Sequence, residues 1–81
     1  MPTLTLLTTA GCHLCDTAKQ VIWAAIDTNQ VRLEECDIAD DPTLIDQYQR
    51  LIPVLINNQT QAQCCWPFSI ADVQELLSLP R

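Results

Sequence analysis

A charge-free run, Thr3-Leu4-Thr5-Leu6-Leu7-Thr8-Thr9, leads through the chain's only glycine, Gly11, into a helix-patterned segment, and this succession constrains the fold more than any other feature. A strand rich in leucine and β-branched residues, with no charge, reads as buried on both faces, so it belongs inside a sheet covered on each side. From Cys12 to about Asn29 the apolar residues Leu14, Ala18, Val21, Ile22, Ala25 and Ile26 recur at helical spacing, while Asp16, Lys19, Gln20, Trp23 and Asp27 fall off that stripe. Asp16 suits the positive end of the helix dipole, and Asn29 is an acceptable stop. Gly11 marks the tight turn between strand and helix. Two thiols, Cys12 and Cys15, are therefore offered at a strand-to-helix corner.

The remaining segments supply the sheet and its covers. Val31-Arg32-Leu33-Glu34 alternates like a half-exposed strand, and the alternation slips at Glu34-Glu35 before Cys36 and Ile38, which predicts an edge strand with an irregularity. Asp41 is the expected N-cap, and Pro42 the first residue, of a second helix with Leu44, Ile45, Tyr48 and Leu51 as its apolar face. Pro53 opens a short apolar strand, Val54-Leu55-Ile56, with Asn57-Asn58 as the turn into an alternating run. In that run Ala62, Cys64 and Trp66 point one way, and Gln61, Gln63 and Cys65 the other. Ser69 and Asp72 make a capping-box-like start for a last helix that carries Ile70, Val73, Leu76 and Leu77 and is stopped by Pro80. The order strand, helix, strand, helix, strand, strand, helix implies a single α/β domain over residues 1–81. Its first two strands run parallel through a right-handed crossover, its closing hairpin is antiparallel, and its charge-free first and third strands are central.

Composition narrows the function. Hydrophobic residues make up 48% of the chain and charged ones 17%, which is globular rather than disordered. Four basic residues, Lys19, Arg32, Arg50 and Arg81, are scattered among ten acidic ones, for a net charge of −6. Without a basic patch to neutralise phosphate, neither nucleic acid nor an anionic membrane surface is an expected partner. Neither a signal-peptide pattern nor a membrane-spanning run is visible, so a cytoplasmic location is expected. In that reducing compartment five cysteines point to catalysis or metal binding rather than structural disulfides, and their odd number excludes complete pairing within the chain.

A C-x-x-C pair at a helix N-terminus has a specific chemical use. Unpaired backbone N–H groups and the positive end of the dipole stabilise a thiolate at Cys12, lowering its pKa below the unperturbed value of about 8.5. Cys15, almost one turn further along the same face, is placed to attack a mixed disulfide on Cys12 and release the product. His13 strengthens this only when protonated, and Asp16 opposes it.

In element order, C-x-x-C placement and the proline opening the third strand, residues 4–79 resemble the glutaredoxin-like branch of the thioredoxin-fold family, and are similar to a short subgroup carrying Trp-Pro-Phe, here Trp66-Pro67-Phe68. The resemblance implies a thioredoxin-like βαβαββα fold, a four-stranded mixed sheet in the order 2-1-3-4 with three helices. It implies a cis Ile52-Pro53 bond facing the dithiol, with the Ile52 backbone pairing to an incoming peptide or thiol. A substrate groove is expected from Gly11, His13, Leu14, Ile52, Pro53, Trp66 and Phe68, with core packing as the alternative for the two aromatic residues. Arg50 is then placed either to meet a substrate carboxylate or to sit solvated at a helix end.

Departures from the family pattern bear on the substrate. Thioredoxins carry a tryptophan before the first cysteine, where this chain has Gly11, and an acid on the preceding strand, where Thr3 to Thr9 are neutral. Glutathione-using glutaredoxins show a lysine on the first strand and a Gly-Gly-x-Asp turn, in whose place stands Trp66-Pro67-Phe68-Ser69. Glutathione remains a candidate co-substrate, with weak turnover expected.

Adjacent Cys64 and Cys65 suggest a vicinal disulfide, or zinc ligation together with Cys12 and Cys15. Neighbouring strand residues point apart, and the two lack the C-x-x-C spacing of a zinc knuckle, so Cys64 is expected packed inward and Cys65 semi-exposed. Cys36 is expected as a small core residue. The function expected is a thiol–disulfide oxidoreductase that reduces disulfides or mixed disulfides of a protein or small thiol through Cys12 and Cys15. It is expected to act as a monomer with neither metal nor tightly bound cofactor. The alternative is a non-enzymatic adaptor, or a metal or iron–sulfur carrier binding through Cys12.

Overall fold

A computed structural model describes residues 2–78. Strand β1 (Thr3–Thr8) is followed by helix α1 (His13–Ala25), strand β2 (Arg32–Asp37), a 3₁₀ turn (Ile38–Asp40) and helix α2 (Pro42–Tyr48). Strands β3 (Val54–Asn57) and β4 (Gln63–Cys65) and helix α3 (Ile70–Ser78) complete the order. The strands form one mixed sheet, β2-β1-β3-β4, with β1 parallel to β2, and β3 antiparallel to both β1 and β4. This is the thioredoxin-like βαβαββα arrangement, with the apolar strands β1 and β3 at its centre.

The alternation of side chains along the central strands divides the core into two layers. Leu4 and Leu6 of β1 and Leu55 of β3 join Ala18 and Ile22 of α1 and Val73 and Leu76 of α3 on one face. Leu7 and Val54 point the other way, where Ile38 and the partly buried Leu44, Ile45 and Tyr48 close the second layer. Both faces of β1 and β3 are covered, and a charge on either would lose its hydration. Local chemistry starts the two later helices as expected. Asp41 Oδ1 accepts the Thr43 N–H at 2.8 Å. The Ser69 N–H donates to Asp72 Oδ2 at 2.9 Å while the Asp72 N–H donates to Ser69 Oγ at 3.2 Å, a reciprocal capping box.

Several expectations are corrected. Helix α1 ends at Ala25 rather than near Asn29, because Asp27 offers the backbone a different set of bonds: its side chain accepts the Asn29 N–H and its carbonyl the N–H groups of Gln30 and Val31. Leu14, assigned to the apolar stripe, is exposed, and Cys15 occupies the buried position instead. Strand β2 has no irregularity: its register with β1 runs unbroken from Thr3↔Arg32 to Thr8↔Asp37. The slip at Glu34-Glu35 has another cause. Leu33 packs toward α1 and Cys36 toward α2, and Glu35, on the α1 side, reaches Lys19 Nζ at 3.0 Å in place of an apolar contact.

Leu51 is exposed because α2 has already ended at Tyr48 and the Leu51 N–H bonds back to the Tyr48 carbonyl in a turn. Ile70, the first residue of α3, is also exposed, leaving Val73, Leu76 and Leu77 as the packed face. Asn57 belongs to β3 and is buried, so the hairpin turn falls on residues 58–60. The expected stop at Pro80 lies outside the described residues.

Candidate functional site

The corner between β1 and α1 is set by Gly11, whose φ of +78° lies in the left-handed region that residues with a Cβ rarely adopt. The Cys12 N–H closes the turn on the Thr9 carbonyl at 3.3 Å. Cys12 is thereby left in extended geometry as the N-cap of α1. Its Sγ accepts the Cys15 N–H at 3.2 Å, as a serine or aspartate cap would. That N–H is one of the four a helix start leaves unpaired, so the sulfur sits where the helix presents positive charge.

Cys12 and Cys15 are joined as a disulfide, with Cα atoms 5.3 Å apart. Their environments differ sharply. Cys12 is partly exposed, whereas Cys15 is 2% exposed within the body of the protein. Only Cys12 can meet a bulky partner. Cys15 can reach nothing larger than its neighbour.

A cleft of about 500 Å³ opens beside Cys12, between the start of α1 and the end of β2. Thr8, Thr9, Gly11 and His13 line it near the sulfur, and Asp16, Lys19, Glu35 and Asp37 form its charged wall. Lys19 Nζ lies 3.0 Å from Glu35 Oε1 and 3.6 Å from Asp16 Oδ1. The hydrogen bond to Glu35 holds the Lys19 ammonium above its ordinary range; burial opposes this, and the charge of Glu35 and then Asp16 add to it.

The other expected groove residues, Leu14, Ile52, Pro53, Trp66 and Phe68, do not line this cleft, and Phe68 is packed in the core instead. Leu7↔Val54 pairing brings Pro53 beside the exit of β1, and the Ile52–Pro53 bond is cis. Pro53 is fully buried and its carbonyl accepts the Trp66 N–H at 3.0 Å. The Ile52 N–H is donated to the Tyr48 carbonyl at 3.1 Å. Trp66 is half-buried, Phe68 is 5% exposed within the core, and their rings meet edge to face at 5.0 Å. Leu14 stands exposed beside the dithiol, and Arg50 is exposed just past α2 with no ion pair among the described residues. The Trp66–Pro67 bond is also cis, a feature that the residue pattern does not signal.

Lys19, Glu35 and Asp37 were not among the residues expected at the site. The break in alternation at Glu34-Glu35 was their trace in the sequence, legible only once α1 is known to lie over β2. Among the described residues no three His, Cys, Asp or Glu side chains converge as a metal-ligand set, and no helix is long and apolar enough to cross a membrane. Cys64 and Cys65 diverge as expected, the first partly buried against the core and the second exposed.

Residues 3–78 match the model of the glutaredoxin-like domain family (DUF836). The chain belongs to that family. Two solved structures are similar to this chain, both of the Northeast Structural Genomics target protein XcR50 from X. campestris. The X-ray structure is 29% identical with a TM-score of 0.82, covering 95% of this chain and 99% of its own. The solution structure is 30% identical with a TM-score of 0.80, covering 99% and 97%. No curated protein matches the sequence.

Proposed function

We propose that this glutaredoxin-like domain is a thiol–disulfide oxidoreductase, with Cys12 as nucleophile and Cys15 as resolving thiol. One observation carries the reading: Cys12 caps α1 with its sulfur on the Cys15 N–H, while Cys15 is buried directly behind it. In the reduced protein the helix start stabilises a Cys12 thiolate. That thiolate attacks one sulfur of a substrate disulfide, a mixed disulfide forms, and the other sulfur leaves and takes a proton from water. Cys15 then gives up its proton and attacks the Cys12 sulfur, and the mixed bond breaks. The second substrate thiol departs, the Cys12–Cys15 disulfide remains, and two electrons have passed to the substrate. An external thiol reductant returns them.

Alkylation of the reduced protein with iodoacetamide across a pH series, with each cysteine followed by mass spectrometry, tests the assignment. Cys12 should label with a midpoint below the reference thiol value of about 8.5, and Cys15 more slowly at every pH. Equal labelling of the two, each with a midpoint at the reference value, overturns the reading.

A further inference from the structure

The cleft beside Cys12 is not electrically neutral. Asp16, Glu35 and Asp37 bring three carboxylates to it, against the single ammonium of Lys19. Lys19 is already engaged, bridging Glu35 on β2 and Asp16 on its own helix, so it is not free to receive an anion. Asp37 spends one oxygen on the Ala39 N–H at 2.9 Å and keeps its charge on the cleft wall. The rest of the lining is Thr8, Thr9, Ala10, Gly11, Cys12 and His13, all small or polar apart from the imidazole of His13, and it offers no broad apolar floor for a hydrophobic ligand.

We infer that this cleft selects the substrate by charge: it seats the cationic flank of a disulfide, such as a lysine or arginine near the target cysteine, and repels anionic disulfides. The inference rests on the oxidoreductase reading, because it is the attack by Cys12 that draws a substrate to this wall. Cys12 lines the same cleft as these carboxylates, so groups flanking a sulfur bonded to Cys12 meet a charged wall at the short range where screening, about 8 Å at physiological ionic strength, is weak. There the carboxylates act on them directly, and the chain's overall charge of −6 acts in the same sense at longer range. Glutathione, whose oxidised form is anionic, is then a poor partner for an electrostatic reason as well as for want of a Gly-Gly turn.

The test uses the reduced full chain and three small disulfides: cystamine, which is cationic, hydroxyethyl disulfide, which is neutral, and oxidised glutathione. Each rate is divided by the rate of the same disulfide with dithiothreitol, which removes intrinsic reactivity. The cationic-to-anionic ratio should be at least about tenfold at low ionic strength, and should shrink severalfold in about 0.5 M salt. Asp37→Asn, which keeps the oxygen that caps Ala39, should lower the cationic-to-neutral ratio, Glu35→Gln should lower it as well, and Lys19→Gln should raise it. Reading the ratio within each variant separates charge selection from a general loss of activity. Equal normalised rates, a ratio insensitive to salt, or glutathione as the fastest substrate overturns the inference while leaving the oxidoreductase intact. Failure to reduce even the neutral disulfide overturns the oxidoreductase reading itself.

Discussion

Asn57 and Leu76 are tied by a buried hydrogen bond: Asn57 Nδ2 donates to the Leu76 carbonyl at 3.0 Å, while Asn57 Oδ1 accepts the Gln59 N–H at 2.9 Å. One amide, 2% exposed, thus fastens the end of β3 and its hairpin turn to helix α3. Both polar ends are satisfied, which is the condition for a polar side chain to be stable in that position.

Asn57→Leu should therefore destabilise the protein although it adds apolar surface. It strands the Leu76 carbonyl and the Gln59 N–H, at a cost of about 1–3 kcal/mol. In urea titration the midpoint should fall with the slope unchanged. A midpoint equal to that of the wild type would show that water replaces the amide without loss.

The two dithiol cysteines should separate by trapping. With a neutral small disulfide, Cys15→Ser should accumulate a mixed disulfide on Cys12, since the resolving thiol is gone. Cys12→Ser should form little adduct, because Cys15 is 2% exposed and cannot meet the reagent. Intact-mass spectrometry reads both. Rapid adduct formation on Cys15 in the Cys12→Ser protein would reverse the assigned roles.

Much of this fold is written in local chemistry. The charge-free β1 and β3, the Asp41 cap and the Ser69–Asp72 box each depend on a few neighbouring residues, and each is where its pattern places it. The corner is equally legible, because Gly11 and the C-x-x-C spacing are contiguous. What escaped depends on partners distant along the chain. Leu14 and Cys15 exchange burial because the packed face of α1 is set by the sheet beneath it and not by hydropathy alone. Glu35 looks like a fault in β2 until Lys19 is seen across from it, and Asn57 looks like a turn residue until α3 is in place. The charged cleft arises from two such non-local placements.

Ser69→Ala should cost about 1 kcal/mol, a usual value for loss of an N-cap oxygen. The Asp72 N–H would lose its acceptor and the reciprocal bond from the Ser69 N–H would be weakened with it. Helix α3 lies beside α1 on the core, so the loss should appear in global unfolding and not only as fraying. Hydrogen exchange of the α3 amides, compared with those of β1, distinguishes the two. Accelerated exchange confined to the first turn of α3 would show that the box acts only locally.

Cys64 and Cys65 should differ in reactivity although they are adjacent. Burial pushes the Cys64 thiol above its ordinary value, and Asp72 adds to this, whereas Cys65 lies exposed on the opposite face of β4. With the dithiol left oxidised, iodoacetamide should therefore modify Cys65 first and Cys64 only slowly. The same shift links Cys64 to stability. In the unfolded chain it ionises near the ordinary value, whereas in the folded protein it holds its proton to higher pH. Between those two values the folded state binds more protons, so stability falls as the pH rises through that window and is unaffected by Cys64 below it. The denaturation midpoint of the oxidised protein should decline above about pH 9 more steeply in the wild type than in Cys64→Ala. Parallel declines in the two proteins would show that burial of this thiol has no part in the alkaline loss of stability.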